Sequence, residues 1–331
     1  MPEEDIARSI ENLMRLTVES GAPNCNRLNE TLRTLPHVLR NTKAIAYELA
    51  RLRRMLDRRK INRPKLGYYG LGSKLCTAAD LESHWAAYWR RQLQLPFSYH
   101  RKSWELCFVL QALHEALTTF EGKHGLGFAC GHEKLPSYLA SRNAILTATD
   151  APPSLSGVAQ WANTQQHASN REHLYHGVLI SKDAFDSRVT FDFADMNDIP
   201  NQYLEKYDFC WSICALEHLG SIEHGLRFLE NSLGVLKTGG VAVHTLEFNL
   251  DEGDTIDHWP TVLFQRRHIE ELGRRIASAG GVLLAPDFDE GQSFCDRYTD
   301  LPPYDAVTNE LHLKLSIDGF RCTCMGVILR K

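Results

Sequence analysis

The residues able to do chemistry in this sequence stand directly behind short apolar runs. Gly127-Phe-Ala-Cys-Gly131 closes the run His124–Ala129. Small residues at Gly127, Ala129 and Gly131 let the chain turn tightly and let backbone approach a ligand closely. A second run, Ala144–Ala148, leads to Asp150. A carboxylate in that place can accept both hydroxyls of a ribose. The third run, Val189–Phe193, leads to Asp195-Met196. An acid beside a soft apolar side chain suits adenine, which offers an amino donor and a flat apolar face. The fourth, Tyr207–Ile213, opens into Ser212-Ile-Cys-Ala-Leu-Glu-His-Leu-Gly220, and the fifth, Val241–Leu246, into His244-Thr-Leu-Glu-Phe-Asn249. His218 is the first candidate for a general base and His244 the second, with Glu217 or Glu247 to orient either one. Structural readings stand beside these. Glu217 and His218 can cap the helix after the fourth run, and His244 can be a hydrogen-bonded core histidine.

Such residues act together only if the elements before them line up. Between the apolar runs lie helical stretches: one through Ser141, one over Leu226–Leu236 closed by Lys237-Thr-Gly-Gly240, and one over His268–Ser278 ended by Gly280-Gly281. Val282–Ala285 and Met325–Leu329 supply two further strands. Alternation of this kind implies a doubly wound, mainly parallel sheet with helices on both faces. Ligands then bind at the carboxyl ends of the strands, at the switch point.

We divide the chain into a helical N-terminal extension over residues 1–62, a helical cap or linker over 63–121, and a ligand-binding α/β domain over 122–331. Ile10, Leu13, Met14 and Leu16 lie near helical spacing, as do Ile45, Leu49, Leu52 and Leu56. The extension is read as a helical bundle or an oligomerisation arm, with a dimer through the N-terminal helices expected. Arg51, Arg53, Arg54, Arg58, Arg59, Lys60, Arg63 and Lys65 form a basic run with only Asp57 opposing, read first as a solvated helix face. Trp85, Trp89, Trp104 and Phe108 make 79–119 rich in aromatics for packing on the α/β domain. Asp296–Tyr304 reads as a loop in which Tyr298 or Tyr304 could stack on a sugar and Asp296 or Asp300 could bind its hydroxyls; Asp251–Pro260 reads as a lid.

From about residue 122 to 250 the sequence resembles the class I S-adenosylmethionine-dependent methyltransferases. The resemblance implies a Rossmann-like methyltransferase fold with a seven-stranded sheet. It implies Gly127, Ala129 and Gly131 at the methionine end of the cofactor, Asp150 at its ribose, and Asp195 with Met196 at its adenine. Ser212 to Glu217 corresponds to the segment passing beneath cofactor and substrate. Lys237-Thr-Gly-Gly240 resembles the turn usually written Leu-Lys-Pro-Gly-Gly, with Thr238 in place of proline, and Ala129 stands where glycine is common. Residues 80–331 also look like bacterial methyltransferases, some associated with polysaccharide gene clusters. The implied reaction is direct displacement at the sulfonium methyl, with a small molecule or a glycan, foremost a sugar hydroxyl, as acceptor.

Composition narrows the alternatives. A formal net charge of −4 argues against a dedicated nucleic-acid binder. No apolar stretch is long enough for an integral membrane span. The acidic start lacks a signal-peptide pattern, so a cytoplasmic location is expected. Nine cysteines, several inside apolar runs, fit that compartment, and the Cys322-Thr-Cys324 pair alone does not make a zinc site. Glu217, His218, His244, Glu247 and His312 could converge on a divalent metal, but no short ligand motif joins them and none is assigned. A nicotinamide-dependent oxidoreductase would require Gly-x-Gly-x-x-Gly, which the 127–133 segment does not supply. A non-catalytic cofactor-binding scaffold is the remaining alternative.

Overall fold

The computed structural model describes residues 18–19, 22–23, 25–57, 63–155, 158, 166–304 and 310–331. Ile10, Leu13, Met14 and Leu16 lie outside the described residues, as does the 58–62 part of the basic run. The chain forms two units, Met1–Leu52 and Arg53–Lys331.

In the first unit, β1 (Val18–Glu19) pairs antiparallel with β2 (Ala22–Pro23), and the 32-residue helix α1 (Cys25–Leu56) begins. Pro36 lies inside this helix. Leu35, Val38, Thr42, Ile45, Leu49, Leu52 and Leu56 follow one another at alternating spacings of three and four and are all exposed. That alternation is the a/d register of a coiled coil.

The second unit is built on β3 (Lys74–Leu75), β4 (Tyr99–His100), β5 (His124–Phe128), β6 (Ile145–Asp150), β7 (Val189–Phe193), β8 (Tyr207–Ile213), β9 (Leu236–Asn249), β10 (Val282–Leu283), β11 (Thr299–Asp300), β12 (Leu311–His312), β13 (Lys314–Ile317) and β14 (Phe320–Arg330). Its helices are α2 (Ala78–Leu81), α3 (His84–Gln92), α4 (Arg101–Leu117), α5 (Leu135–Ser141), α6 (Lys182–Asp186), α7 (Ile222–Ser232), α8 (Arg266–Ser278) and α9 (Phe294–Arg297).

Residues 207–213 are almost wholly buried, as a strand covered on both faces must be. Helix α8 instead buries only Ile269, Leu272 and Ile276, the one face that its three- and four-residue spacing presents to the sheet. Ser221 starts α7 by accepting the backbone N–H of His224. The parallel strands run in the order β7-β6-β5-β8-β9. Strand β14 then lies antiparallel to β9 over nine paired positions, Cys322 to Arg330. The outer side of β14 is taken by β10, β3 and β13 in turn, all antiparallel, and β11 follows β13. The expected seven strands form the body of this sheet, and β3, β11 and β13 extend it.

Three sequence expectations are corrected. Lys237-Thr-Gly-Gly240 is not a free turn after a helix: α7 ends at Ser232, and these residues already belong to β9, where the register against β8 shifts between Tyr207 and Phe209. The 296–304 stretch is not simply a loop, since it holds the end of α9 and all of β11. The basic run is not opposed by Asp57 alone, because Arg53 pairs with Glu82 at 2.6 Å and Arg54 with Glu310 at 3.0 Å.

Helix α4 packs on the sheet beside β9 and β14. It sits so close that a Cβ on Gly326 would lie 2.1 Å from the Phe108 ring. This approach brings the N-terminal turn of α4 over the carboxyl end of β8.

Candidate active site

Strand order reverses between β5 and β8, so their carboxyl ends flank the crevice where such sheets bind ligands. The glycine loop leaves β5 here. Ala129 and Gly131 take positive φ angles of 48° and 53°. A Cβ on Gly127 would meet Cys130 Sγ and the Trp211 ring, each at 2.4 Å. Gly127 is thus required by Trp211, whose indole N–H donates to Glu133 at 2.7 Å. Neither Trp211 nor Glu133 was among the sequence candidates.

Asp150 ends β6 and is 5 % exposed. Its Oδ2 accepts the backbone N–H groups of Ala168 at 2.8 Å and Gly131 at 3.1 Å, and its Oδ1 accepts that of Ala151 at 2.8 Å. Burial raises its pKa, and the amides of Ala168, Ala151 and Gly131 oppose that rise. The segment around Ala168 lies directly on the glycine loop: a Cβ on Gly131 would be 2.5 Å from the Gln166 carbonyl oxygen. Asp150 and Gly131 are joined by a hydrogen bond that already uses the carboxylate. Asp195 follows β7 half-buried, accepting the Asn197 N–H at 2.8 Å, and Met196 beside it is buried.

Two expected site residues are corrected. Ser212 is fully buried, and its hydroxyl is hydrogen-bonded to His244 Nδ1 at 2.7 Å, so its side chain does not face the crevice. His244 has no exposed surface, meets Ser232 Oγ with Nε2 at 3.3 Å, and packs edge-on against Phe228. Burial pushes its pKa down to about 3. It is a neutral core histidine, out of reach of a ligand.

His218 lies with Glu217 in the short turn Leu216–His218 after β8. Its Nδ1–H donates to the Pro260 carbonyl at 2.9 Å, which leaves Nε2 as the basic nitrogen. Burial lowers its pKa, with the Pro260 carbonyl acting the other way, so the ring is neutral at pH 7. Glu217 does not orient His218. It is fully buried, neither carboxylate oxygen has a hydrogen-bond partner, and burial together with Glu247 pushes its pKa up to about 8.

Around Glu217 the structure gathers a polar cluster from distant parts of the chain. Arg101 at the start of α4 pairs with Glu247 on β9 and lies 3.7 Å from Glu105. Lys102 is 3.3 Å from Glu105. Burial works against the Glu105 charge, but Lys102 and Arg101 outweigh it and hold the carboxyl below its usual range. Cys214 and Cys324 bring their sulfurs to 3.5 Å, beside Arg101. Sequence reasoning named only Glu217 and Glu247 of this group as site candidates. His312 is not part of it: its Nδ1 lies 2.8 Å from Asp300, and its ring packs against His100. Asp300 and Asp296 are buried structural acids, the latter accepting the Ala78 N–H at 2.7 Å. Neither is exposed to read a sugar.

A doubly wound sheet of parallel strands, closed by one long antiparallel strand, with a glycine loop after its central strand, decides the fold. It is the Rossmann-like fold of the class I methyltransferases. No family model matches the chain, and no curated protein does. Several solved structures resemble it at low identity. A protein from Galdieria sulphuraria, provisionally assigned as a sarcosine dimethylglycine methyltransferase, is 16 % identical over 55 % of this chain and 60 % of its own, with a TM-score of 0.36. The cyclase SpnF is 20 % identical over 57 % of this chain and 64 % of its own, with a TM-score of 0.39. A SAM-dependent methyltransferase from Aquifex aeolicus is 15 % identical over 66 % of this chain and 87 % of its own, with a TM-score of 0.37. The chain spans less than two thirds of the first two. Among the described residues no helix is long and apolar enough to cross a membrane.

Proposed function

We propose that this chain transfers a methyl group from S-adenosylmethionine to a small-molecule or glycan acceptor, at a hydroxyl. The observation that carries the reading is the pairing of Asp150 with Gly131 at the switch point, at the ends of β6 and β5. The residues fit the cofactor on one condition. A carboxylate offers about four lone-pair sites, and Asp150 has three of them in use. Two ribose hydroxyls are accommodated when the Ala168 amide gives up its place. Gly127, Ala129 and Gly131 would cradle the methionine end, and Asp195 with Met196 the adenine.

The cofactor supplies an already activated methyl, so the protein's task is to align the acceptor and take its proton. His218 is suited to the second part. The Pro260 carbonyl fixes its tautomer, and its lowered pKa keeps Nε2 free of a proton at neutral pH. The rate should fall as pH drops through that lowered value, so the acid limb of kcat/KM should lie below the ordinary imidazole range. His218→Ala should lower kcat by about 100-fold, leave cofactor affinity unchanged and remove the acid limb. Calorimetric titration with S-adenosylmethionine and S-adenosylhomocysteine, with NAD as control, tests the cofactor. Binding of neither sulfur nucleoside would sink the reading.

We also infer a homo-oligomer formed through α1, with a second copy covering the exposed stripe from Leu35 to Leu56. Sedimentation should give a multiple of the 37.6 kDa chain mass. The double substitution Leu49→Glu, Leu52→Glu should return it to a single chain. A monomeric wild-type protein would refute this assembly.

A further inference from the structure

The polar cluster holds acceptors that nothing in it satisfies. Both oxygens of the fully buried Glu217 lack a hydrogen-bond partner, and so does Oε2 of Glu247, whose side chain is 6 % exposed. The nearby cations are already matched, Arg101 by Glu247 and Lys102 by Glu105. Leaving a buried acceptor unsatisfied is costly, and native proteins rarely do so without a ligand in mind. Cys214 Sγ, a Glu217 oxygen and a Glu247 oxygen lie within 4.8 Å of one another. Glu105, Cys214 and Cys324 form a second such group sharing the Cys214 sulfur.

The thiols narrow the choice of ligand. Cys214 follows β8 and Cys324 is on β14, and their sulfurs meet at 3.5 Å as free thiols, not as a disulfide. An ammonium group would satisfy the carboxylates but gain little from sulfur. A borderline-soft divalent ion takes both ligand types. The ligand backbone is also fixed: the Cys214 N–H donates to the Thr245 carbonyl at 3.0 Å, while the Glu217 and Glu247 carbonyls accept from Val262 at 2.9 Å and Phe264 at 3.1 Å.

We propose that Cys214, Glu217 and Glu247 bind one divalent cation of the zinc and cobalt class at the carboxyl end of β8. The set differs from the histidine-containing one suggested by sequence, because His244 and His312 are held elsewhere. The site stands independently of the methyltransferase reading, and its test involves no cofactor or acceptor.

The full chain, stripped with a chelator, is titrated with Co²⁺ and followed by absorption. One equivalent should bind, with a thiolate-to-cobalt charge-transfer band in the near ultraviolet that Zn²⁺ abolishes. Cys214→Ser should lose the band. Glu217→Gln should weaken binding by roughly tenfold or more, while melting no lower than wild type without metal, since it removes a buried acid that has no partner. Cys210→Ala, at a buried thiol beneath α7, should leave band and affinity unchanged. Absence of saturable binding by the wild type, or a band that survives in Cys214→Ser, overturns the assignment. If Cys214→Ser fails to fold, an unchanged affinity in Glu217→Gln overturns it alone.

Discussion

Replacing Asp150 by alanine should weaken S-adenosylmethionine binding about a thousandfold, or ~4 kcal/mol, the worth of two charge-assisted hydrogen bonds from a ribose. The same substitution should destabilise the cofactor-free protein by about 2 kcal/mol or more. The second effect follows from what the carboxylate already holds. Gly131 and Ala168 are buried, and their N–H groups would lose their acceptor together. Calorimetry on the folded variant, paired with a thermal melt without ligand, separates the two roles. A lower melting temperature with intact binding would make Asp150 a staple between the glycine loop and residues 166–168, and its ribose role would fall. Faster hydrogen exchange at the Ala168 amide on cofactor addition would support the exchange of that amide for a ribose hydroxyl.

Arg101→Leu should be the most destabilising change in the polar cluster, costing about 3–5 kcal/mol at neutral pH. It leaves Glu247 and Glu105 buried without the guanidinium that pairs with them. The sign of its pH dependence follows. Arg101 is one of the two cations that hold Glu105 below its usual range, so without it that buried carboxyl takes up a proton more readily as the pH falls and sheds its charge. The gap in melting temperature between variant and wild type should be widest near pH 8 and narrow toward pH 5. A gap that does not change with pH would mean that Arg101 acts by packing its aliphatic stem and that the ion pairs add little.

The sheet was legible because each of its main strands is a short apolar run bounded by a turn signal. Asp150 and Asp195 fall at strand ends as read, since a strand's end can be located from its own residues. The polar cluster was not legible for the opposite reason. Arg101, Lys102 and Glu105 come from a helix that sequence reads as a packing element. Cys214 and Cys324 lie more than a hundred residues apart, and each sits in a run where a small apolar residue would be equally at home. Only the close approach of α4 to β14, set by Gly326 against Phe108, joins them. His244 misled because the strand that carries it continues beyond it: β9 runs on to Asn249, so the imidazole is mid-strand and buried between two serines. Asp296 and Asp300 misled because turn-rich composition hides capping and ion pairing as readily as it reveals a loop.

The borders of the sheet bear on how copies of this protein can meet. Among the described residues, one border is β7, five residues long, with Thr190 and Asp192 exposed along it. The other is divided among β10, β3 and β11, each only two residues long. Neither side offers the long, flat, apolar row of unpaired amides on which another chain could lay a strand. Strand-by-strand accretion, the usual start of fibrous aggregation, has no template here, and in crowded solution the sheet should stay closed to its own kind.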